Sequence, residues 1–400
     1  MSEVVEAKAT KIPMSFGAIG GAMLLAGGAL TAMGIGGGFN ADALASSFMF
    51  GAIFWIMLSI GCLGLMLLFH ITRGRWGTPV LRIFEAGASP LNLAFCFGLV
   101  ILAATVFKEP LYGTWIHPAE GDMLVLNKAA YLNYNFFLAR QVIYFALFIG
   151  MSLILSNLMS KEEKTGDKKL SDMRNNIAAP SMVLFFLFFT LFITDFLMSV
   201  DPHWYSTVWG FLFAIGAALS AMSFATIIVV SQRDKAPYAG KVDNLMTKDF
   251  GNLLLMLTML WAYLSFSQLL IIWSGNLKEF IPYYLKRLVG NFSVIGTLLV
   301  FGQFLGPFLL LLSPRLKRTS ALLIPTAAII LLMRIVDMYW LVMPYFRESV
   351  TFAPADFGML LLFGGIWMVL FSVGLRRAPL MVLAHPYQAH GSTELEEAHV

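Results

Sequence analysis

DFLMSVDPHWYSTVWG, residues 195–210, packs two aspartates, a histidine and three belt-type aromatic residues between two long apolar runs, Pro180–Val200 and Thr207–Val230. Each run is long enough to cross a bilayer as a helix, which needs about 17 to 25 residues. The stretch therefore reads as a turn between two membrane helices. Pro202 stops the first helix, and Ser206 or Thr207 can cap the second. Trp204, Tyr205 and Trp209 sit where aromatic side chains anchor at the membrane interface. Asp195, Asp201 and His203 are not explained by that account.

Outward from this turn, eight further runs of spanning length follow the same pattern: Met14–Gly34, Phe48–Thr72, Pro90–Phe107, Tyr131–Leu158, Phe250–Trp273, Phe292–Ser313, Ala321–Met343 and Phe357–Leu375. Backbone polar groups in lipid must pair within the segment, so these runs predict helices. With 58% hydrophobic and 12% charged residues and a mean hydropathy of +0.77, the chain lacks the polar surface of a soluble protein. The expected fold is an all-α membrane protein of ten transmembrane helices. The first run follows Lys8 and Lys11, but its length and glycines favour a retained helix over a signal peptide.

Nineteen of the 27 Lys and Arg fall on one side of this topology and six on the other, with Arg140 and Arg334 inside runs. Basic residues stay cytoplasmic, so both termini are expected in the cytoplasm and the 108–130 and 199–206 loops outside. The basic pI expresses this topology and gives no reason to expect nucleic acid as a partner. The stretch Ser160–Ala179 reads as a solvated connector, and the polar tail 384–400 as a docking or solubilising segment. GNLKEFIPYYLKRLVG, 275–290, interleaves aromatic and basic residues and is expected to lie in the interface.

An internal echo divides the single polytopic domain. Asp195 precedes Pro202 by seven residues, and Asp337 precedes Pro344 by seven. Two four-helix units, runs 2–5 (46–200) and runs 6–9 (207–343), would place these aspartates in correspondence, with runs 1 and 10 flanking.

Charged residues within runs are Arg140, Asp195, Arg334 and Asp337. Each costs about 2.5–3.5 kcal/mol at mid-bilayer when unpaired. All four, with Gln268, fall in the half nearer the 195–210 turn, forming a one-sided polar layer. Two readings follow: buried ion pairs that fix helix packing, or a proton-conducting or quinone-facing cluster. In the second, Asp201 and His203 would carry protons from Asp195 to the surface. No catalytic residue is assigned. No metal site is expected either: the two cysteines lie in separate runs, and only His70 of six histidines lies in a run, so neither an iron–sulfur cluster nor a bis-histidine haem is built here.

MSVDPHWYSTVWG (198–210) and WAYLSFSQLLIIWSGNL (261–277) resemble signatures of the ActF-type membrane subunits of bacterial alternative complex III, within the NrfD/PsrC-like superfamily. The resemblance covers nearly the whole chain in helix number and topology. It implies a subunit of a quinol:cytochrome c oxidoreductase in the bacterial inner membrane, acting in respiratory or photosynthetic electron transport. The implied partners are an ActC-like quinol subunit, an iron–sulfur/molybdopterin-like subunit and multihaem and monohaem cytochromes c. Haem c and iron–sulfur clusters would belong to those partners, with lipids, the quinone pool and a bound quinone or lipid as the small molecules. Related subunits build the quinol site around helix histidine and aspartate. Here the fourth run offers Arg140-Gln141 and no histidine, so a scaffold and proton-path role is expected. The competing expectations are a secondary transporter or proton channel using Arg334 and Asp337, a quinol-binding NrfD-type anchor of a molybdopterin oxidoreductase, and a purely structural anchor.

Overall fold

The computed structural model describes residues 15–36, 41–167 and 169–381. The tail from 384 lies outside the described residues. Among the described residues, ten helices are long and apolar enough to cross a membrane and there is no strand. They are α1 (Phe16–Gly36), α2 (Ala41–Thr72), α3 (Pro90–Thr105), α4 (Tyr134–Thr165), α5 (Lys169–Phe196), α6 (Trp209–Ser231), α7 (Asn244–Ser274), α8 (Phe292–Leu312), α9 (Ser320–Val342) and α10 (Pro354–Leu375). The protein is an all-α, multi-pass membrane protein.

Helices α2 to α5 close into one four-helix bundle, each packing on the next and α5 returning to α2. Helices α6 to α9 do the same. The bundles meet along α2 and α6, the two most enclosed helices, whose apolar windows are 89% and 78% buried. Approach there is very close: a Cβ on Gly61 of α2 would lie 2.1 Å from the Ala217 carbonyl oxygen of α6. Helices α1 and α10 pair alongside. Gly27 of α1 meets the Leu362 backbone, where a Cβ would come within 2.4 Å of its nitrogen. Small residues let membrane helices approach in this way, because dispersion rather than hydrophobicity drives their association.

Several helices exceed the apolar runs that announce them. The 32 residues of α4 span about 48 Å at 1.5 Å per residue, well beyond a hydrocarbon core of about 30 Å. The excess lies past Leu158, so the expected solvated connector 160–179 is largely helix, with a turn between Thr165 and Lys169. The 108–130 loop likewise holds a helix, Lys108–Ile116, and the aromatic-basic segment forms the short helix Ile281–Leu288. A π turn interrupts α8 at Val300–Leu305.

The two ends of the molecule differ in chemistry. One carries Trp204, Tyr205, Phe280 and Tyr283 and is called the aromatic face; the other carries Arg73, Arg82, Arg174 and Arg233 and is called the basic face.

Candidate functional site

The first bundle buries one ion pair near its aromatic face. Arg140 on α4 donates from Nε to Asp195 Oδ2 (2.7 Å) and from Nη2 to Oδ1 (3.1 Å), a bidentate fork across to α5. The Tyr144 hydroxyl donates to the same Oδ2 at 2.8 Å, and Arg140 Nη1 donates to the Tyr131 carbonyl at 2.8 Å. The guanidinium also lies over the Tyr131 ring, 3.8 Å from its centroid. Asp195 is fully buried. Both its oxygens are taken, and phenylalanines of α5 pack around its level in stacked pairs, Phe192 on Phe196 and, toward the basic face, Phe185 on Phe189. An open hollow of about 520 Å³ on the aromatic face reaches Tyr131 and Ser199 but not Asp195.

The second bundle is arranged differently. Arg334 and Asp337, three residues apart on α9, pair with each other, and Trp261 Nε1 on α7 donates to Asp337 Oδ2 at 3.2 Å. Both contacts fall on Oδ2. The guanidinium rests on the backbone of α6, where a Cβ on Gly216 would lie 2.2 Å from Arg334 Nη2, so a larger residue there would displace it. Beside this cluster, α7, α8, α9 and the 281–288 helix enclose a pocket of about 510 Å³. Asp337 is part of its wall, with Trp261, Ser265, Gln268 and Thr297, among otherwise apolar residues such as Leu212, Phe266, Val300 and Phe304. Tyr283, Tyr284 and Trp340 close it toward the aromatic face; the buried Trp340 Nε1 has no hydrogen-bond partner. A largely apolar cavity with a few convergent polar groups is the usual form of a small-molecule site.

The 195–210 turn joins three outer segments rather than extending a relay from Asp195. His203 Nε2 lies 2.7 Å from Asp122 Oδ2, and its Nδ1 lies 3.9 Å from Asp201. Lys286 of the short helix lies 3.6 Å from Asp201. Trp204 stacks on Tyr283 with centroids 4.1 Å apart. Burial pushes the Asp122 carboxyl up, but hydrogen bonds from His203 and the Val125 amide outweigh it and hold the group below its usual value. Val208, not Ser206 or Thr207, stands at the N-cap of α6, without a side-chain cap. Ser206 instead donates to Gln268 Oε1 at 3.0 Å, tying the turn to the pocket wall.

Of the seven singled-out residues, the structure thus forms two ion pairs, Arg140–Asp195 and Arg334–Asp337. It puts Gln268 on the pocket wall with Asp337, and Asp201 and His203 in the outer clasp.

Three features escape the sequence reading. The polar layer is not one-sided: at the basic face Arg82 pairs with Glu85 and Glu163, and Arg174 with Glu162, with Arg82, Arg174 and Glu162 all buried. The i,i+3 spacing of Arg82 and Glu85 was a usable signal; the Glu162–Arg174 pairing needed the hairpin. Arg347 binds Asp356 with both nitrogens and reaches Ser46, locking α10 to the start of α2. Arg287, assigned to an exposed interface, is wholly buried, stacked on Tyr283 and donating to the carbonyls of Tyr283 and Leu341.

Among the described residues, no three His, Cys, Asp or Glu side chains group as metal ligands; Cys62 and Cys96 are buried and free. No family model matches the chain, and a search of curated proteins returns no match.

Proposed function

We propose that the chain is a membrane subunit of a bacterial quinol:electron-acceptor oxidoreductase, of the ActF type that its 198–210 and 261–277 motifs resemble. In this reading Asp337 exchanges protons at a pocket for a lipid-soluble molecule of the quinone or lipid class. The observation that carries it is the position of Asp337: an intramembrane carboxylate on the wall of a cavity, paired with an arginine of its own helix. Gln268 and Thr297 offer polar contacts to a ligand headgroup, and the apolar wall suits a hydrocarbon tail. Quinol gives up electrons and protons together; the electrons pass to metal centres on partner subunits, and this chain's part is to take up and release protons beside them. The basic face lies in the cytoplasm, with both termini, because Lys and Arg concentrate there.

The test is Asp337→Asn in the intact complex. Asparagine keeps the shape and most contacts, so the chain should still co-purify with c-type haem, while quinol-dependent cytochrome c reduction and proton release fall. Normal turnover and proton release in a normally assembled variant would defeat the reading. A wild-type chain that purifies alone, without haem, would favour a transporter that uses Arg334 and Asp337 as ligands.

A further inference from the structure

The second bundle holds buried polar atoms on the basic-face side of Asp337 that neither the ion pair nor the pocket uses. Gln303 of α8 is wholly buried, and neither its amide nitrogen nor its oxygen has a hydrogen-bond partner. The same holds for the hydroxyl of Thr258 on α7, itself fully buried, and for Nε of Arg334. Helix contacts place them at nearly one level. Gly302 abuts α9 at Met333, whose sulfur would lie 2.7 Å from an added Cβ, so Gln303, one residue nearer the basic face, lies within about a turn of Arg334. Trp261 meets Asp337, and Thr258 and Arg334 each sit three residues earlier on their own helices, about 4.5 Å lower at the helical rise.

The π turn explains how Gln303 comes to be there. Pro307 has no amide hydrogen to return to the carbonyl four residues back, that of Gln303. The helix adopts a wider turn over Val300–Leu305, and such turns re-aim one side chain relative to a regular helix. The polar series continues toward the basic face on α6. Ser223 lies seven residues beyond Gly216, which touches Arg334, and so shares its face about two turns farther on. Thr226 is three residues beyond that. Both hydroxyls are buried and without partners.

We infer that α6 to α9 enclose a file of internal water molecules, held by Gln303, Thr258 and Arg334 Nε at its head and by Ser223 and Thr226 below. Unpaired polar groups in an apolar interior cost about 1–3 kcal/mol each, and buried water makes two to four hydrogen bonds to such groups. One protein provides several of them at one level; apolar packing would have removed them. The file connects the basic face to Arg334 and Asp337, and the pocket adjoins Asp337 on its other side. If Asp337 exchanges protons as proposed above, the water is its supply from the basic face.

A cryo-EM map of the intact complex at a resolution that shows ordered water tests the site. We expect water density within hydrogen-bond distance of the Gln303 amide and Arg334 Nε, lost from that position in Gln303→Leu. Dry packing around Gln303 in the wild type would overturn the inference, whatever Asp337→Asn does. Water present while Asp337→Asn keeps full turnover would uphold the inference and sink the proton reading instead. In proteoliposomes, Gln303→Leu should slow turnover-linked proton uptake from the basic face by about tenfold, the worth of one well-placed hydrogen bond. Thr258→Val, which keeps volume, guards against a folding defect: a normally assembled variant should show slowed uptake, and unchanged uptake in both variants would show that the water carries no protons.

Discussion

Two carboxylates stand near the aromatic ends of α5 and α9, each seven residues before a proline, and their surroundings diverge. Asp195 meets its arginine across a helix–helix interface, with a tyrosine hydroxyl completing its oxygens and stacked phenylalanines around it. Asp337 meets its arginine along its own helix, a geometry that leaves the opposite helix free. Where α4 supplies Arg140 and Tyr144 to the first bundle, α8 supplies Gly296, Thr297 and Val300 to the second, and a pocket remains. The echo is one of placement and not of register: the tight turn after the aspartate begins at Met198 in one case and at Met343 in the other. The lesson is that two buried acids in similar helices are made into a sealed pin and a pocket-wall group by what the neighbouring helix contributes.

Removing the pin should have the largest effect. Asp195→Asn leaves Arg140 buried without its counter-charge, and breaking such a pair costs about 3–5 kcal/mol. Subunit yield and thermal stability should drop below those of Asp337→Asn: Arg334 is as buried as Arg140, but the pocket beside position 337 gives water room to solvate the group left behind. Equal losses in the two variants would erase the distinction between the bundles.

Next comes the seam between them. Gly61→Ala drives a methyl into the Ala217 carbonyl, an overpacking of about 1–3 kcal/mol that falls on backbone and cannot be relieved by a rotamer. Melting of the purified complex should shift downward; an unchanged melting temperature would mean that α2 and α6 can part at no cost.

Smaller in stability and sharper in meaning is Gly296→Leu. Its side chain would enter the pocket beside Trp340, whose Nε1 lies 3.2 Å from the added Cβ position. Assembly should persist while retention of a quinone or lipid through purification falls. Undiminished retention would place the ligand elsewhere.

The least effect is expected at the outer clasp. Asp122 titrates below its usual value in the folded chain, so its contribution is complete above the ordinary carboxylate pKa of about 3.9 and is lost as pH falls below it. Hydrogen exchange of the 117–133 segment should rise only in that acid range. A rise beginning near neutrality would mean that the Asp122 carboxylate does not hold the clasp.

Much of the architecture was legible in the residues, for a physical reason. A bilayer demands about twenty apolar residues per crossing and full backbone pairing, so ten runs announce ten helices one by one. The pairing of Arg334 with Asp337 was equally readable, because residues three apart share a helix face. Helix ends were read short, as at α4 and α5: beyond the hydrocarbon, helices continue on charged residues that hydropathy does not register. The basic-face pairs were missed in part for the same reason: Glu162, Glu163 and Arg174 lie in the segment taken for solvated chain. Arg287 was missed because amphipathic spacing gives a side chain its direction but not what covers it.

What the sequence determined by itself was the class, the number of crossings, the basic asymmetry and the local Arg334–Asp337 pair, all set by short-range rules of hydropathy and helical spacing. What only the tertiary structure decided was which acid is sealed and which is open. That depends on residues far apart in the chain: Tyr144 reaching Asp195, Gly216 admitting Arg334, and α8 offering no partner to Asp337 where α4 offers two to Asp195. Access is a property of the gap between helices, and no single helix carries it.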